Sequence, residues 1–462
     1  MLTQFLIALI ISFTILIFLI VALKVHPILA LIVTSAFLGI SFGYPVLKTM
    51  SLMNAGFGST IGNVGIPIIL GAILAIGLID LKAADSIVGF FDKLFKGKRM
   101  ELASALTAFI ISIPVFGDIT ILLVAPIASR IAHIKKISMS TMVTFTGLGL
   151  LLTHALVPPT PGILATAMDL EADIGLVIVY GIIISLISFF ITWLLLKSWA
   201  AKEFIKPLSK FSGEVSDGKE LKEIPYTLAF LPILLPIIFI ASSSIVNLYT
   251  ADGGAINQVM NVLGDRVVAL FSGVVMVFLL AFMFKQKVYD SAMKEDKEVN
   301  LNTPFIQLIT NSWVARGAAV ALLPLLVTGL SGSIANLIRE NENVGVLAEI
   351  IASGPVPYIL IPYALSAVLV ATIGSATTAA LTTAGIIMPM MPVLGLSPEL
   401  TALSIGAGSL AITHLNNSGF WVNVLLFNLS TKQGLKYITF PAFVASVVAI
   451  CLLSVAYMAG LV

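Results

Sequence analysis

Long apolar runs, separated by short basic or polar loops, follow one another along almost the whole chain. The first three cover roughly residues 5–23, 27–42 and 62–81. A helix needs about 20 apolar residues to cross the ~30 Å hydrocarbon core of a bilayer, so each run predicts a membrane span. Residues 54–60, Asn-Ala-Gly-Phe-Gly-Ser-Thr, read as a polar, glycine-rich lead-in to the third span. Residues 82–99 read as an amphipathic, mostly basic loop.

The next two runs do not fit whole spans. Residues 101–132 are too long for one span and too short for two, which would need about 40 apolar residues. Ile113-Pro114-Val115-Phe116-Gly117-Asp118 interrupts them, and proline with glycine breaks a helix. Each arm then holds about a dozen residues, roughly 18 Å of helix and about half a bilayer. The pattern predicts a re-entrant hairpin with its tip at mid-membrane, tolerated only where it is buried in protein or lines a cavity. Residues 138–170 predict a broken helix, because three prolines and a glycine fall within Thr153-His154-Ala155-Leu156-Val157-Pro158-Pro159-Thr160-Pro161-Gly162. Residues 174–197 are a closing span.

The pattern then repeats. Beyond a hydrophilic linker at 201–225 come spans at 226–248, 267–284 and 318–338. A second short double run, 355–391, kinks at 372–378. A second broken helix, 400–429, is interrupted at 413–419, and 438–461 closes the chain. His154 and His414 are 260 positions apart, and Gly117 and Gly374 are 257 apart, the near-constant offset of an internal repeat. Five crossings per half make the repeats inverted, an arrangement common in secondary transporters. The expectation is an all-α polytopic membrane protein of about 10 spans and two hairpins, with repeats at 1–200 and 226–462 around a cytoplasmic linker.

Composition agrees: 59% of the 462 residues are hydrophobic, 10% are charged, and mean hydropathy is +1.09. A net charge of +2 gives no footing for nucleic acid, and one cysteine excludes a disulfide framework. The first apolar run lacks a basic n-region and a small-residue cleavage site, so it reads as a span rather than a signal peptide. With both termini outside, only Lys48, Arg266 and Arg339 of the 25 basic residues fall outside the cell. That bias orients the chain in the cytoplasmic membrane.

At membrane depth the sequence places one acid, Asp118, and two histidines, His154 and His414, with no lysine or arginine. Ionisable groups at that depth are costly and point to function. The competing reading of Asp118 is a cap at a helix start, and that of either histidine is a satisfied structural group. Hydroxyls and amides cluster at the four breaks: Thr120, Thr160, Ser375, Thr377, Thr378, Asn416, Asn417 and Ser418, with Ser59, Pro159 and Gly374 nearby. In spans such side chains often serve as packing glue. Broken helices also free N–H groups at helix N-termini, which attract a carboxylate without an arginine. Hydroxyl and amide side chains suit a polyhydroxylated or amino-bearing substrate. Asp118, His154 and His414 are the candidate proton carriers. No ligand spacing for a metal and no motif for nucleophilic catalysis is present, and no cofactor is expected.

The stretches GFGSTIGNVG (56–65), IPVFGDITILLVAP (113–126), LTHALVPPTPG (152–162), GSATTAALTTAGI (374–386) and THLNNSGFW (413–421) resemble the gluconate/proton symporter family of the ion-transporter superfamily. The resemblance spans nearly the whole chain. It implies proton-coupled import of small hydroxy- or amino-substituted carboxylates, such as sugar acids, glycerate or D-serine. It also implies hairpins meeting at a central site and, by superfamily analogy, an elevator-type homodimer. The chain departs from the family pattern at the first tip, where the family has two aromatics and an acid and this chain has Phe116-Gly117-Asp118. It departs again at Thr160, where the family has His, and at Asn417, where it has Asp. The loss of an acid at Asn417 puts more weight on Asp118 as proton carrier. A sodium/proton antiporter of the same superfamily is the alternative and would favour several site carboxylates, whereas only Asp118 is present. A membrane-embedded enzyme would need a nucleophile–base pair or a metal motif.

Overall fold

The computed structural model describes residues 2–23, 25–114, 117–207, 224–249, 254–295, 300–343, 346, 357–414 and 417–460. The side chains of Asp118 and Ser418 lie outside the described residues, as do Asn416, Val115 and Phe116 altogether. Among the described residues every regular element is helical. The first half comprises α1 (Leu2–Ile17), α2 (Pro27–Ser41), α3 (Val46–Asp80), α4 (Ala83–Phe95), α5 (Met100–Ile111), α6 (Gly117–Lys135), α7 (Met139–Leu156), α8 (Pro161–Asp169) and α9 (Ile174–Ala200). The second comprises α10 (Tyr226–Tyr249), α11 (Ala255–Gly264), α12 (Arg266–Met283), α13 (Lys285–Glu295), α14 (Trp313–Arg339), α15 (Leu360–Ile373), α16 (Ala376–Ile387), α17 (Pro398–Ser409), α18 (Ser418–Leu426) and α19 (Phe440–Met458). Among the described residues six helical stretches are long and apolar enough to cross a bilayer, or seven if the bent α3 counts as one.

Two expectations need correction. Residues 54–60 are not a lead-in but part of α3, a single 35-residue helix. Its halves meet at 47° between Asn63 and Gly65, where Pro67 removes the hydrogen bond to the Asn63 carbonyl. The glycines that weaken a solitary helix here let α3 and α14 approach closely. A Cβ on Gly56 would meet the Gly332 carbonyl oxygen, and one on Gly332 would meet Thr60. Ser333 Oγ donates to Met53 O (2.8 Å) and Asn336 Nδ2 to Leu52 O (2.9 Å), tying the same faces together. Residues 82–99 likewise contain a helix, α4, whose apolar face buries Ile87, Val88 and Phe91.

The α3–α14 crossing therefore depends on missing side chains. Gly332→Ala should lower the melting temperature of the detergent-solubilised protein, at a cost of ~1–3 kcal/mol from overpacking. Gly58→Ala in the same helix has open space around it and should be neutral or slightly stabilising, by ~0.5–1 kcal/mol of helix propensity. Equal melting temperatures for the two variants would refute the close-packing account.

Around this pair, α12 packs on α3 and α2 packs on α14. Helix α10 joins that group through α12, and a second group has α5 packed on α7, α15 on α17, and α9 on both α7 and α19. The two groups meet chiefly where α16 lies along α14 and α9 along α10.

Candidate functional site

In the first half, α5 ends at Ile111, and Ser112 Oγ donates to Leu150 O of α7 (3.3 Å). Helix α6 restarts at Gly117, so the Asp118 backbone sits in its first turn. The α6 arm is 19 residues, longer than the dozen expected, because a basic extension through Arg130, His133 and Lys135 continues the helix beyond the apolar stretch. Gly117 lies against α7: a Cβ there would be 3.5 Å from Leu150 Cδ2 and 3.9 Å from His154 Cγ. The α7–α8 break follows two residues after His154. Thr160 Oγ donates to His154 O (2.9 Å) and Val157 O (3.1 Å), satisfying carbonyls freed by the break. Pro159 is buried beside it, and Pro158–Pro159 is a cis peptide. Thr160 is the N-cap residue of α8 but gives the helix no side-chain cap. Pro161 at the first position has no N–H to satisfy.

The second half has the same plan with different hydrogen bonding. Helix α15 ends at Gly374 with φ of +78°, a left-handed turn that favours glycine. Ser375 Oγ then caps α16 by accepting from Thr378 N (3.2 Å), and the Thr378 hydroxyl pairs with it (2.9 Å). His414 Nε2 lies 2.9 Å from Ala371 O. A carbonyl only accepts, so this nitrogen carries the proton. Asn417 Nδ2 donates to Gly374 O (2.7 Å), while its Oδ1 caps α18 by accepting from Phe420 N (3.0 Å). Asn417 thus bolts the second break to the second tip, and no carboxylate is needed for that geometry.

The four breaks come together in a crossed arrangement. Each histidine lies at the tip region of its own half, His154 facing Gly117 and His414 bonded to Ala371. Helix α8, beyond the first break, packs on α16 of the other half, and α18, beyond the second break, packs on α6. At the first of these crossings Gly162 fits against Thr377: its Cβ would lie 3.1 Å from Thr377 Oγ. Sequence reasoning missed Gly162 at this crossing, because a glycine after proline reads only as a helix breaker. Ser59 is not brought into this group through any described bond; it is exposed on α3. Thr120 is fully buried in the first turn of α6.

Outside the breaks, two polar clusters tie helices together. The Asp80 carboxylate at the end of α3 is 1% exposed. It accepts from Trp313 Nε1 (2.7 Å), Arg316 Nη1 (2.9 Å) and Nη2 (3.2 Å), and Ser291 Oγ (3.1 Å). Past α9, Glu203 accepts from Gln433 Nε2 (2.6 Å), Lys436 Nζ (2.9 Å) and Tyr437 OH (2.8 Å). These donors hold its carboxyl well below the ordinary range, at about 2, so it is anionic throughout physiological pH.

Comparison with known proteins covers nearly the whole chain. Residues 4–459 match the description of the GntP family permeases. A gluconate permease of Pseudomonas aeruginosa is 28% identical over 438 residues, covering 94% of this chain and 93% of that protein. An uncharacterized permease of Haemophilus influenzae is 30% identical over 427 residues, covering 90% and 84%. The D-serine transporter DsdX of Escherichia coli K12 is 28% identical over 446 residues, covering 96% of each. Among solved structures, the Alcanivorax borkumensis YdaH transporter superposes with a TM-score of 0.57 at 14% identity. It covers 87% of this chain and 88% of its own, a likeness of fold alone.

Proposed function

Because the chain belongs to the GntP family of permeases, we propose that it imports a small hydroxy- or amino-substituted carboxylate by proton-coupled, elevator-type alternating access. It is a multi-pass protein of the inner membrane and a transporter, not an enzyme. The similarity to gluconate permeases and to a D-serine transporter supports a cargo with a carboxylate and a hydroxyl or amino substituent. The observation that carries the reading is the crossed contact of the breaks, with Gly162 of α8 seated on Thr377 of α16. Interrupted helices that converge bring free backbone N–H and C=O groups to one place, as a buried anion requires. Site residues on this reading are Ser59, Asp118, Thr120, His154, Pro159, Thr160, Gly374, Ser375, Thr377, Thr378, His414, Asn416, Asn417 and Ser418. Coupling falls to Asp118, His154 or His414.

Helices α5, α15 and α16 hold 12, 14 and 12 residues. At 1.5 Å per residue each is ~18–21 Å long and cannot cross the bilayer alone. This supports two re-entrant hairpins at 101–132 and 355–391 within inverted repeats 1–200 and 226–462, joined by a cytoplasmic linker at 201–225. In this topology both termini face outward, and two copies form a dimer. Single cysteines at Lys96 and Lys136 should label only from the cytoplasmic side, and those at Glu342 and Ser397 only from outside. Any other pattern rejects the orientation.

The activity is tested in proteoliposomes, by uptake of labelled gluconate, glycerate and D-serine under imposed pH or sodium gradients. Accumulation of one of them under an inward proton gradient is the expected result. Sodium-for-proton exchange with no carboxylate uptake would establish an antiporter instead.

A further inference from the structure

The two halves differ in what their breaks leave unsatisfied. In the second, the tip and break bond to one another: His414 donates to Ala371 O, Asn417 bridges Gly374 O and Phe420 N, and Ser375 caps Thr378 N. In the first, two buried polar atoms have no hydrogen-bond partner, Nδ1 of His154 and Oγ of Thr120. They belong to facing helices. A Cβ on Gly117 of α6 would lie 3.9 Å from the His154 ring, and Thr120 stands one turn further along α6, at i+3 from Gly117. Thr120 is 0% exposed, so the missing partner is not bulk water. Fifteen buried side-chain polar atoms lack a partner among the described residues, and these two are the ones at the first tip and its break.

We propose that His154 Nδ1 and Thr120 Oγ form a subsite for a hydroxyl group of the cargo, whereas His414 only holds the second tip in place. This rests on the carboxylate-import reading above. Neither side chain carries a permanent charge, and between them they can donate and accept one hydrogen bond each. A ligand hydroxyl has the matching capacity. A carboxylate offers only acceptors. An ammonium offers only donors and would bring a full charge to a pair of neutral groups. The subsite therefore selects hydroxy acids over their amino counterparts.

The test is equilibrium binding to the purified full-length protein in nanodiscs, using D-glycerate, 3-hydroxypropionate and D-serine. The first two differ only in the C2 hydroxyl, and D-serine replaces that hydroxyl with an ammonium. Wild-type protein should bind D-glycerate most tightly. Thr120→Val, nearly isosteric, should weaken D-glycerate about tenfold, leave 3-hydroxypropionate unchanged, and so erase the preference. His154→Gln should reduce the preference too, while His414→Gln should keep it. Retention of the preference in Thr120→Val, or tighter wild-type binding of D-serine, overturns the inference while leaving carboxylate import standing. Wild-type protein that binds none of the three, nor D-gluconate, removes both. Far-ultraviolet circular dichroism and gel-filtration profiles matching wild type establish that each variant is folded.

Discussion

Arg316→Ala should be among the most destabilising single substitutions in the chain. The Asp80 carboxylate is 1% exposed and receives four hydrogen bonds, two of them from the Arg316 guanidinium in a forked pair. Removing the guanidinium leaves a buried anion beside the Trp313 indole, which is itself fully buried and stacked on Phe278 at 5.3 Å. Breaking a buried pair by removing one partner costs ~3–5 kcal/mol, mainly through the uncompensated charge. Lysine would be a poor replacement, because a point charge cannot reach both carboxylate oxygens in the same fork. Asp80→Asn should cost less, since the Arg316 side chain is 25% exposed and can recover hydration. The double variant Asp80→Leu/Arg316→Met should return most of the stability lost in Arg316→Ala, because an apolar pair leaves no buried charge. Thermal unfolding in mild detergent measures all three. An Arg316→Ala protein that melts with wild type would mean that the cluster contributes no net stability.

The ion pair also marks a limit of sequence reading. Its partners stand 236 positions apart. Asp80 reads there as an acid at a span end, and Arg316 as one more cytoplasmic charge. The breaks were far more legible, since proline and glycine interrupt apolar runs for local reasons. Helices end within a few residues of the expected places at Ile111, Leu156, Ile373 and Ser409. Residues 54–60 misled because glycine is unfavourable inside an isolated helix, whereas packing against Gly332 reverses its value. Composition could show that hydroxyls, amides and histidines gather at the breaks. It could not show how they are spent, because capping depends on backbone angles and long-range partners. His154 and His414 are equivalent by spacing, yet one ring nitrogen is held by Ala371 and the other has no partner. Thr160 and Asn417 occupy like positions, but Thr160 bonds backward to carbonyls and Asn417 bonds forward to its helix and across to a tip.

That difference sharpens the question of where a coupled proton would ride, and Asp118→Asn should answer it by abolishing accumulation while sparing exchange. The carrier must take up a proton on one side and release it on the other as the cargo moves. His414 donates its Nε2 proton to the Ala371 carbonyl, which ties the ring to the second tip, so a coupled proton there would have to ride on Nδ1. His154 is next to the first tip, and the subsite argument gives its free nitrogen to the cargo. Asp118 stands in the first turn of α6, one residue beyond the glycine that faces the His154 ring, so its proton and the cargo would share one end of one helix. Symport of one proton with a singly charged anion is electroneutral. A gradient of one pH unit, worth ~1.36 kcal/mol, then supports about tenfold accumulation. In Asp118→Asn the amide cannot release a proton, so the accumulation ratio should fall to about one, while counterflow of labelled against unlabelled substrate persists. His414→Gln should retain accumulation if folding is preserved. His154→Gln should weaken counterflow and accumulation together, as a binding defect does. If Asp118→Asn still concentrates substrate under a proton gradient, the carrier is not Asp118, and loss of accumulation with intact counterflow in His154→Gln would assign the role to His154.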